Sequence, residues 1–589
     1  MAIAKQNTAT TTSIPAPIGG WNARDSLANM PVTDAVTLTN FFPTPTDVQL
    51  RNGYQTWSTG ITGQVNTLMT YNSPSNEQMF ACAGTKIYNC TNKGTATTAY
   101  SSITNDKLQF TNVSNVGGYY LSAVNGVDAP LLYDGANWIK VANTTTAQTI
   151  SSITEGGTGN LTATVTTASA HGLVTGNQVV ISGATPTQYN GAYVITVTGT
   201  TTFTYKMATT PGSNATTVGS YTVLGITGVD PTTFVNVNLY KNRLYYCANN
   251  SLKVYYLGIN AIAGAANYVD LGGIARNGGY VQAMGTWTID GGYGVNDYAV
   301  FVTNMGEVIV YQGSDPSDST NWALVGVWQL GFVFNRRCFY KWGSDMLILM
   351  QDGLVPLSAT LQSDRLNPRV FLTDKISREI NQEIDLYSNN FGWQIIYFAK
   401  ETMLLINVPD SNGTQQFVMN TITKAWANFT NIPVTCWNLL YEEMYCGGDG
   451  VVYQFWSGNS DNGSNIIGNA QQAYSYFDKP GQLKRFTLIR PIIQSDNGIP
   501  AVLCNINVDF DTQVPTGQLS FNPALLNVGT WDSGKWDVQN WGGGYVTTKV
   551  WQGVQGIGFA ASVNMAVASQ GIDFHWASTD YVMESGGVL

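Results

Sequence analysis

The chain contains only two histidines, His171 and His575, so any histidine-dependent chemistry must use one of them. His171 precedes a Gly-Leu turn, and His575 lies in the segment GIDFHWAS, which reads as a strand. A zinc site needs several histidine, cysteine or carboxylate ligands at short spacing, and neither histidine has such neighbours. A hydrolase triad on a nucleophile elbow needs a GxSxG motif, which the sequence lacks. We therefore predict no zinc site, no cofactor and no histidine-based catalysis.

Paired carboxylates are the other residues that could do chemistry, because two acids flanking a glycosidic bond can hydrolyse it. Glu442 and Glu443 are adjacent, and Asp573 lies close to His575. Adjacent residues on a strand point to opposite faces, so the two glutamates are poorly placed to share one substrate. A solvated turn or edge is the favoured interpretation of this pair. We predict that the chain is not an enzyme.

Calcium binding is a minor alternative for four carboxylates near the C-terminus, because hard oxygen ligands suit this ion. They lack the regular Asp/Asn/Gly spacing of a calcium loop, and the simpler interpretation of the first two is a pair of acids on the wet face of one strand. The four residues are Asp509, Asp511, Asp532 and Asp537.

Three tryptophans recur every five residues in the stretch TWDSGKWDVQNWGGG, at Trp531, Trp536 and Trp541. Five residues turn a helix by about 500°, and an odd spacing on a strand alternates the faces, so neither regular element aligns the rings. Turns at Asp-Ser-Gly and Gly-Gly-Gly can reset the faces and let the rings pack together. We predict that the three side chains stabilise a compact β-rich lobe by packing inside it, and that each buries about 200 Å² of surface. A surface platform for a ligand is the alternative.

The elements that must position these residues belong to a chain of unusual composition. Its 589 residues are 44% hydrophobic but only 11% charged, against about 25% in an average domain. A surface made mainly of Thr, Ser, Asn, Gln and Gly suits an assembly, where charged side chains would have to be desolvated at contacts. The net charge of −10 argues against a protein that grips nucleic acid through a broad basic face.

The cysteines and the N-terminus indicate where the chain folds. Seven cysteines, an odd number without a CxxC motif, predict buried thiols in a reducing compartment. The N-terminal residues form a polar arm without an apolar signal core, and no apolar run is long enough for a membrane helix. We therefore expect neither a secretion signal nor a membrane-spanning segment.

Short alternating or apolar runs, separated by Gly, Asn and Asp turns, dominate the chain and predict an all-β fold. A strand–turn–strand unit recurs about every 40 residues, which favours a β-propeller of about six to eight blades. A stack of ordinary β-meanders is the alternative. The main helix is predicted in LTDKISREINQEIDLY, capped by Thr373 or Asp374, and a shorter helix is predicted after Pro31.

Breaks in this rhythm predict an inserted small β-module and a C-terminal β-sandwich-like domain. The predicted segments are 1–60 (N-terminal arm and short helix), 61–147 (first blades), 148–222 (inserted β-module), 223–478 (remaining blades) and 479–589 (C-terminal β-rich domain).

The N-terminal stretch IGGWNARDSLANMPVTDAVTLTNFFPTPTDVQLRNGYQTWST resembles the opening of the tail nozzle proteins of short-tailed bacteriophages, also called tail-hub or packaged-DNA-stabilisation proteins. In that family a polar arm leads to a Gly-Gly element, a helix, an arginine–glycine turn and the first propeller strand. Specific residues match over about the first sixty positions and more weakly after residue 480, at KRFTLIRP and the WDxGxWD run. The candidate structural or interface residues are Gly19, Gly20, Trp21, Arg51, Gly53, Trp531, Trp536 and Trp541.

The resemblance implies a structural protein of the virion tail, assembled in the host cytoplasm. It implies a homohexameric ring below the portal and adaptor proteins, docking surfaces for tail fibres or spikes, and a central channel. The channel would retain the dsDNA genome and then conduct it without sequence-specific binding. An acidic or neutral wall would suit such a conduit, because a wall that bound phosphate would stall the duplex.

The alternative function is a receptor-recognition tail component that binds or cleaves carbohydrate. The 16 tryptophans favour it, because aromatic faces stack on sugars.

Overall fold

The computed structural model describes residues 9–143, 147–290, 295–362, 370–410, 413–496, 501–513 and 545–588. The chain divides into two compact units. The first unit combines Met1–Trp57 with Gln351–Leu589, and the second unit is the intervening Ser58–Met350. Both units consist mainly of β-strands.

Six short strands open the chain, and the prediction of a short helix after Pro31 is wrong. That segment forms a strand, because β-branched Val36 and Thr37 favour extended backbone and its residues pair antiparallel with residues 469–472. Tertiary pairing therefore outweighs a weak local helix pattern. The six strands are β1 (Ala9–Pro15), β2 (Gly20–Trp21), β3 (Asp34–Thr39), β4 (Phe41–Pro43), β5 (Val48–Leu50) and β6 (Tyr54–Thr59).

The second unit begins with two four-stranded antiparallel meanders, β7-β8-β9-β11 and β12-β13-β14-β15. Aromatic side chains of the two meanders share one core, in which Phe80 meets both Tyr133 and Trp138 edge-on. Their strands, together with a two-residue strand that pairs with β6, are β7 (Val65–Ser73), β8 (Asn76–Ala83), β9 (Lys86–Asn89), β10 (Gly94–Thr95), β11 (Thr97–Ser101), β12 (Gln109–Asn115), β13 (Gly118–Val124), β14 (Leu131–Tyr133) and β15 (Trp138–Lys140).

A separate seven-stranded sheet follows, with a hydrophobic core of its own that includes Val165, Ile181 and Phe203. It docks beside β15, where the backbone N–H of Lys140 donates to the carbonyl of Gly176 at 2.8 Å. Its strands are β16 (Gln148–Gly156), β17 (Thr162–Thr167), β18 (Gln178–Thr185), β19 (Gly191–Val194), β20 (Thr196–Val197), β21 (Thr202–Lys206) and β22 (Thr217–Val223).

The meanders then resume as β24-β25-β26-β28 and β29-β30-β31-β32, and the unit ends with the hairpin β33-β34. The short strands β23 and β27 pair in parallel beside the first of these meanders. The strands are β23 (Ile226–Thr227), β24 (Phe234–Tyr240), β25 (Arg243–Ala248), β26 (Lys253–Tyr256), β27 (Gly264–Ala265), β28 (Asn267–Asp270), β29 (Val281–Asp290), β30 (Val295–Thr303), β31 (Glu307–Gly313), β32 (Trp322–Gln329), β33 (Phe339–Trp342) and β34 (Asp345–Met350).

The first unit continues with the predicted main helix and two further meanders. The helix is confirmed as α2, which buries Ile380 and Ile384, but neither Thr373 nor Asp374 caps it. The meanders are β36-β37-β38-β39 and β40-β41-β42, and β6 pairs with β42. The elements are β35 (Gly353–Pro356), α1 (Leu357–Gln362), α2 (Ser377–Tyr387), β36 (Gln394–Phe398), β37 (Met403–Asp410), β38 (Gly413–Asn420), β39 (Trp426–Phe429), β40 (Cys436–Leu440), β41 (Glu443–Gly447) and β42 (Val452–Phe455).

The C-terminal strands lie in two sheets, and N-terminal strands complete both of them. One sheet joins β44, β46, β47 and β49 to β1, β4 and β5. In the other, β3 pairs with β2 and connects the meander β36-β37-β38-β39 to β43, β48 and β45. Gly468 leaves room for Phe41 and Leu50 of the facing sheet. The strands are β43 (Ile466–Gln472), β44 (Gln482–Ser495), β45 (Ala501–Val508), β46 (Val546–Thr548), β47 (Gln552–Gly558), β48 (Ala561–Ser569) and β49 (Phe574–Val588).

Regular helix is scarce in the described part of the chain, and none of its helices is long and apolar enough to cross a membrane. Single 3₁₀ turns lie at Thr158–Asn160, Thr187–Tyr189, Pro231–Thr233, Asp374–Ile376 and Ala399–Glu401.

Candidate functional site

Strand β49 carries His575 into a cluster of acidic side chains. His575 is the second residue of β49 and stands opposite Gln49 of β5. This register places the imidazole between two carboxylates. Its Nδ1 lies 2.9 Å from Oδ2 of Asp47, and its Nε2 lies 3.4 Å from Oδ1 of Asp573. The imidazole side chain is only 15% exposed, so both contacts are partly shielded from water.

Each carboxylate of this histidine cluster is held by further hydrogen bonds. The hydroxyl of Thr44 donates to Asp47 at 2.5 Å, and its oxygen accepts the backbone N–H of Asp47 at 3.1 Å. The hydroxyl of Tyr545 donates to Oδ2 of Asp573 at 2.7 Å. The backbone N–H of Asp573 donates to a carboxylate oxygen of Asp496 at 2.6 Å. The geometry around the imidazole is therefore fixed by a local turn at Asp47 and by contacts from more distant segments at Asp573.

The electrostatics of the cluster favour a charged imidazole. Burial opposes the charge, but the hydrogen bonds to Asp47 and Asp573 outweigh it and raise the pKa of His575 to about 9. Burial likewise tends to raise the pKa of both carboxyls, yet contact with the histidine lowers them below their usual value. The hydrogen bond to Asp573, together with burial, raises the pKa of Tyr545 to about 12. At neutral pH the cluster is thus an imidazolium between two carboxylates.

This arrangement fits a structural network of ion pairs better than a glycosidase active site. A glycosidase needs one carboxyl whose pKa is raised, so that it can act as the general acid. Both Asp47 and Asp573 have lowered pKa values, and each is engaged with the imidazole. Asp573, the carboxylate nominated from the sequence, therefore lacks the raised pKa that the general acid would need.

Arg51 is the centre of a second cluster in the first unit. Its side chain is fully buried, and its two terminal nitrogens each donate to one oxygen of Asp461 at 2.7 Å. Its Nε donates to the side chain of Asn40 at 2.9 Å, and a terminal nitrogen also donates to the carbonyl of Thr430 at 3.1 Å. A bidentate pair with every neighbour satisfied is the geometry in which a buried charge can be tolerated.

The glycines and the tryptophan of the N-terminal motif lie at close backbone contacts. A Cβ atom at Gly53 would overlap the carbonyl oxygen of Ser460. Gly20 has a φ of +81°, and a Cβ there would lie 2.6 Å from the backbone N and O of Trp426. The ring of Trp21 meets Phe417 edge-on at 5.5 Å. Gly19 borders the carboxylate of Asp34, where a Cβ atom would also overlap.

The sequence interpretation of Asp509 and Asp511 as two acids on one strand is wrong. Strand β45 ends at Val508, and the two acids lie in the turn that follows. Asp509 has a φ of +46°, and its carboxylate accepts backbone N–H groups from Phe559 at 2.7 Å and Ala560 at 3.1 Å. This carboxylate closes a turn, because two of its acceptor sites are occupied by the backbone.

Other sequence-predicted residues occupy unconnected places. Tyr441 and Glu442 form a turn with positive φ angles, and Glu443 begins β41 and pairs with Lys400. His171 lies in the inserted sheet, where its Nδ1 accepts the N–H of Leu173 at 2.9 Å. Within the described ranges, no group of three or more His, Cys, Asp or Glu could hold a metal ion. Five predicted residues lie outside the described residues: Trp531, Asp532, Trp536, Asp537 and Trp541.

The residues that sequence reasoning missed are the distant partners. Asp47 is 528 positions from His575, and Asp461 is 410 positions from Arg51. No local pattern marks either aspartate, because each sits in an ordinary Asp-containing turn. Two features of the sequence could have pointed to these clusters. His575 is followed by Trp on a predicted strand, and Arg51 lies in an otherwise uncharged run.

The successive four-stranded meanders define the class of protein. The chain is an all-β protein of the β-propeller class, as predicted, with an inserted small β-module and a sandwich-like pair of sheets that contains its C-terminal strands.

No protein-family model matches the chain, and no curated protein matches it. Among solved structures, it is similar to Sqt1 from Saccharomyces cerevisiae at 12% identity and a TM-score of 0.35, over 69% of this chain and 98% of that one. It is also similar to YCF48 bound to D1 peptide, at 9% identity and a TM-score of 0.26, over 69% and 95%. The dihydro-heme d1 dehydrogenase NirN matches at 11% identity and a TM-score of 0.30, over 61% and 66%. Likenesses at these scores support no functional argument.

Proposed function

We propose that this chain is the tail nozzle protein of a short-tailed bacteriophage, a structural protein whose copies form a hexameric ring around a channel for dsDNA. The observation that carries the proposal is the N-terminal motif. Its Gly20, Arg51 and Gly53 lie at positions where another residue would clash or would leave Asp461 buried without a partner. The resemblance therefore rests on residues that the fold requires, rather than on composition.

The charge of the chain supports the same proposal. A net charge of −10 over 589 residues repels phosphate, and DNA sliding through a ring must not stick to its wall. The uncharged Thr, Asn and Tyr side chains of the surface would form the contacts between copies and with portal, adaptor, fibre or spike proteins. Such side chains can be buried at an interface without leaving a charged group there unpaired.

The ring is tested by mass photometry and negative-stain electron microscopy of the purified full chain. We expect six-fold rings, and antibody labelling at the tail tip of purified virions. A chain that stays monomeric at micromolar concentration and is missing from virions would contradict the proposal.

The conduit is tested by measuring duplex binding at physiological salt. We expect affinity no tighter than about 10⁻⁵ M, within the range of non-specific binding, because the net charge of −10 repels the phosphate backbone. Affinity in the nanomolar range with a steep salt dependence would refute a passive wall.

A carbohydrate-binding tail component is the second candidate, and one aromatic side chain favours it. Trp551 is 37% exposed, and the guanidinium of Arg490 lies 4.5 Å from its ring centroid. Arg490 is itself held by Asp580 at 2.6 Å, so the ring has a fixed polar border of the kind that can flank a sugar.

A glycan array with the purified chain tests this candidate. Trp551→Ala should abolish any specific signal. Tyr268→Ala is the matched control, because Tyr268 is also an exposed ring beside a cation, Lys253, at 4.3 Å. No glycan signal from the wild-type chain would eliminate the candidate.

A further inference from the structure

A lysine, an aspartate and an asparagine meet in the first unit next to the N-terminal motif. Asp34 is the first residue of β3, and its carboxylate is almost fully buried. One of its oxygens accepts Nζ of Lys375 at 2.9 Å, and the other accepts Nδ2 of Asn22 at 2.8 Å. A single carboxylate therefore bridges an amine and a side-chain amide.

The amide of Asn22 is held in one orientation. Its Oδ1 accepts the backbone N–H of Arg24 at 3.1 Å and that of Asp25 at 3.0 Å. Its Nδ2 donates to Asp34 and also to the carboxylate of Asp25 at 2.9 Å. Two backbone N–H groups on the amide oxygen are the donors that stabilise an oxyanion when a nucleophile adds to a carbonyl carbon.

Backbone hydrogen bonds join the segment that carries the lysine to the segment that carries the asparagine. The carbonyl of Lys375 accepts the N–H of Ala23 at 2.9 Å, directly after Asn22 in the chain. The Nζ of Lys375 also donates to the carbonyl of Gly19 at 3.0 Å. Because Gly19 has no Cβ, the carboxylate of Asp34 can occupy the space next to it. The lysine is two-thirds buried and Asn22 is almost completely buried, so competing water is limited.

We propose that Lys375 and Asn22 join through an intramolecular isopeptide bond, with Asp34 as the proton-transfer group. Asp34 takes a proton from the ammonium of Lys375, and the free amine attacks Cγ of Asn22. The N–H of Asp25 stabilises the oxyanion on Oδ1, together with the N–H of Arg24, which also donates to the backbone carbonyl of Lys375 at 3.1 Å. Proton transfer to Nδ2 then lets the Cγ–Nδ2 bond break, and the nitrogen departs as ammonium. The side-chain amide of Asn22 is exchanged for a secondary amide to Nζ, and no oxidant or reductant is needed.

The fold gathers the three residues around one carboxylate, which favours a reaction without an enzyme. Amine and amide bind the same carboxylate, so the encounter is intramolecular and its entropy cost was met when the chain folded. The ordinary alternative is a buried ion pair with a neighbouring amide, which leaves both side chains chemically unchanged.

Intact mass and tandem mass spectrometry of the purified full chain test the bond. We expect a mass lower than the sequence mass by one ammonia, and a branched peptide that joins the Asn22 and Lys375 segments. Lys375→Arg and Asp34→Asn should both keep the full mass and give two separate peptides. Lys241→Arg is the matched control, because Lys241 pairs with Asp297, whose carboxylate contacts no side-chain amide in the described residues. This control should still show the branched peptide.

The wild-type spectrum alone can overturn the proposal, whether or not the variants fold. A full sequence mass with separate Asn22 and Lys375 peptides overturns it. Loss of ammonia with separate peptides also overturns it, because that pattern reports succinimide formation at an asparagine. The inference does not depend on the proposed tail function, since a failed ring assay leaves the mass measurement unchanged.

Discussion

Replacement of His575 by glutamine tests the histidine cluster directly. Glutamine keeps a polar side chain of similar length but cannot carry the positive charge between Asp47 and Asp573. A pKa that rises from 6.5 to about 9 corresponds to about 3 kcal/mol of stabilisation by the charged form. The three side chains are 15%, 19% and 24% exposed, so solvent screening reduces this value, and we expect a loss of about 1–3 kcal/mol.

The stabilisation that His575 provides depends on pH. The pKa of His575 is raised in the folded state, so its contribution is fully present below about pH 6.5 and is lost as the pH rises through about 9. The pKa of Tyr545, about 12, keeps that hydroxyl neutral through this window. The two aspartates have lowered pKa values, so their contribution is lost only in acid, below the ordinary aspartate range. The same ion pairs cause the pKa shifts of the histidine and of both aspartates, so these shifts report one stabilisation and not three separate ones.

Thermal unfolding of wild type and His575→Gln at pH 6 and pH 10 measures the effect. We expect the variant to melt several degrees lower at pH 6, since about 1 kcal/mol shifts the midpoint of a 150–250-residue domain by about 2–4 °C. The difference should shrink towards zero at pH 10. His171→Gln is the matched control, because among the described residues His171 makes no ion pair with a carboxylate. Equal midpoints at pH 6, or a difference that grows with pH, would refute the reasoning.

Three further predictions follow from buried contacts. Arg51→Met should lower the free energy of unfolding by about 3–5 kcal/mol, because it leaves Asp461 buried without its partner. The double variant Arg51→Met with Asp461→Leu should recover much of this loss. Chemical denaturation measures both values. Gly53→Ala should lower the melting temperature because its Cβ overlaps a backbone carbonyl, whereas Gly481→Ala, which meets nothing within 4 Å, should not. All seven cysteines are buried, so a thiol reagent at pH 8 should label them only after denaturation, and rapid labelling of the folded chain would contradict their burial.

The sequence predicts the fold class better than it predicts the site. Alternating and apolar runs with Gly and Asn turns indicate strands correctly, and the isoleucine spacing locates α2, because both periodicities are local. The helix expected after Pro31 fails because β3 is stabilised by residues more than 400 positions away. The number of blades and the role of the three tryptophans of the C-terminal stretch stay predictions.

The candidate site shows the same division between local and distant information. Gly20 and Gly53 could be singled out from a motif, and their backbone environment now gives a steric reason for glycine. The ion pair of Asp47 with His575 could not be predicted, because it depends on which strands become neighbours in a sheet built from both ends of the chain. A charge pattern indicates that a partner is needed, but only the topology identifies it.

The N-terminal segment is therefore a structural part of the first unit and more than an appended arm. Strands β1, β4 and β5 belong to one of the sheets that contain the C-terminal strands, and β3 lies between β39 and β43 in the other. Three charged contacts then fasten the same segment at separate points: Asp34 with Lys375, Asp47 with His575, and Arg51 with Asp461. Each contact spans several hundred residues of chain, so the first unit cannot complete its core until the remote C-terminal strands have been synthesised. The covalent bond proposed between Lys375 and Asn22 would replace the ion pair of Lys375 with Asp34 by a permanent link at the same point of the fold. The histidine cluster would remain the contact that responds to pH.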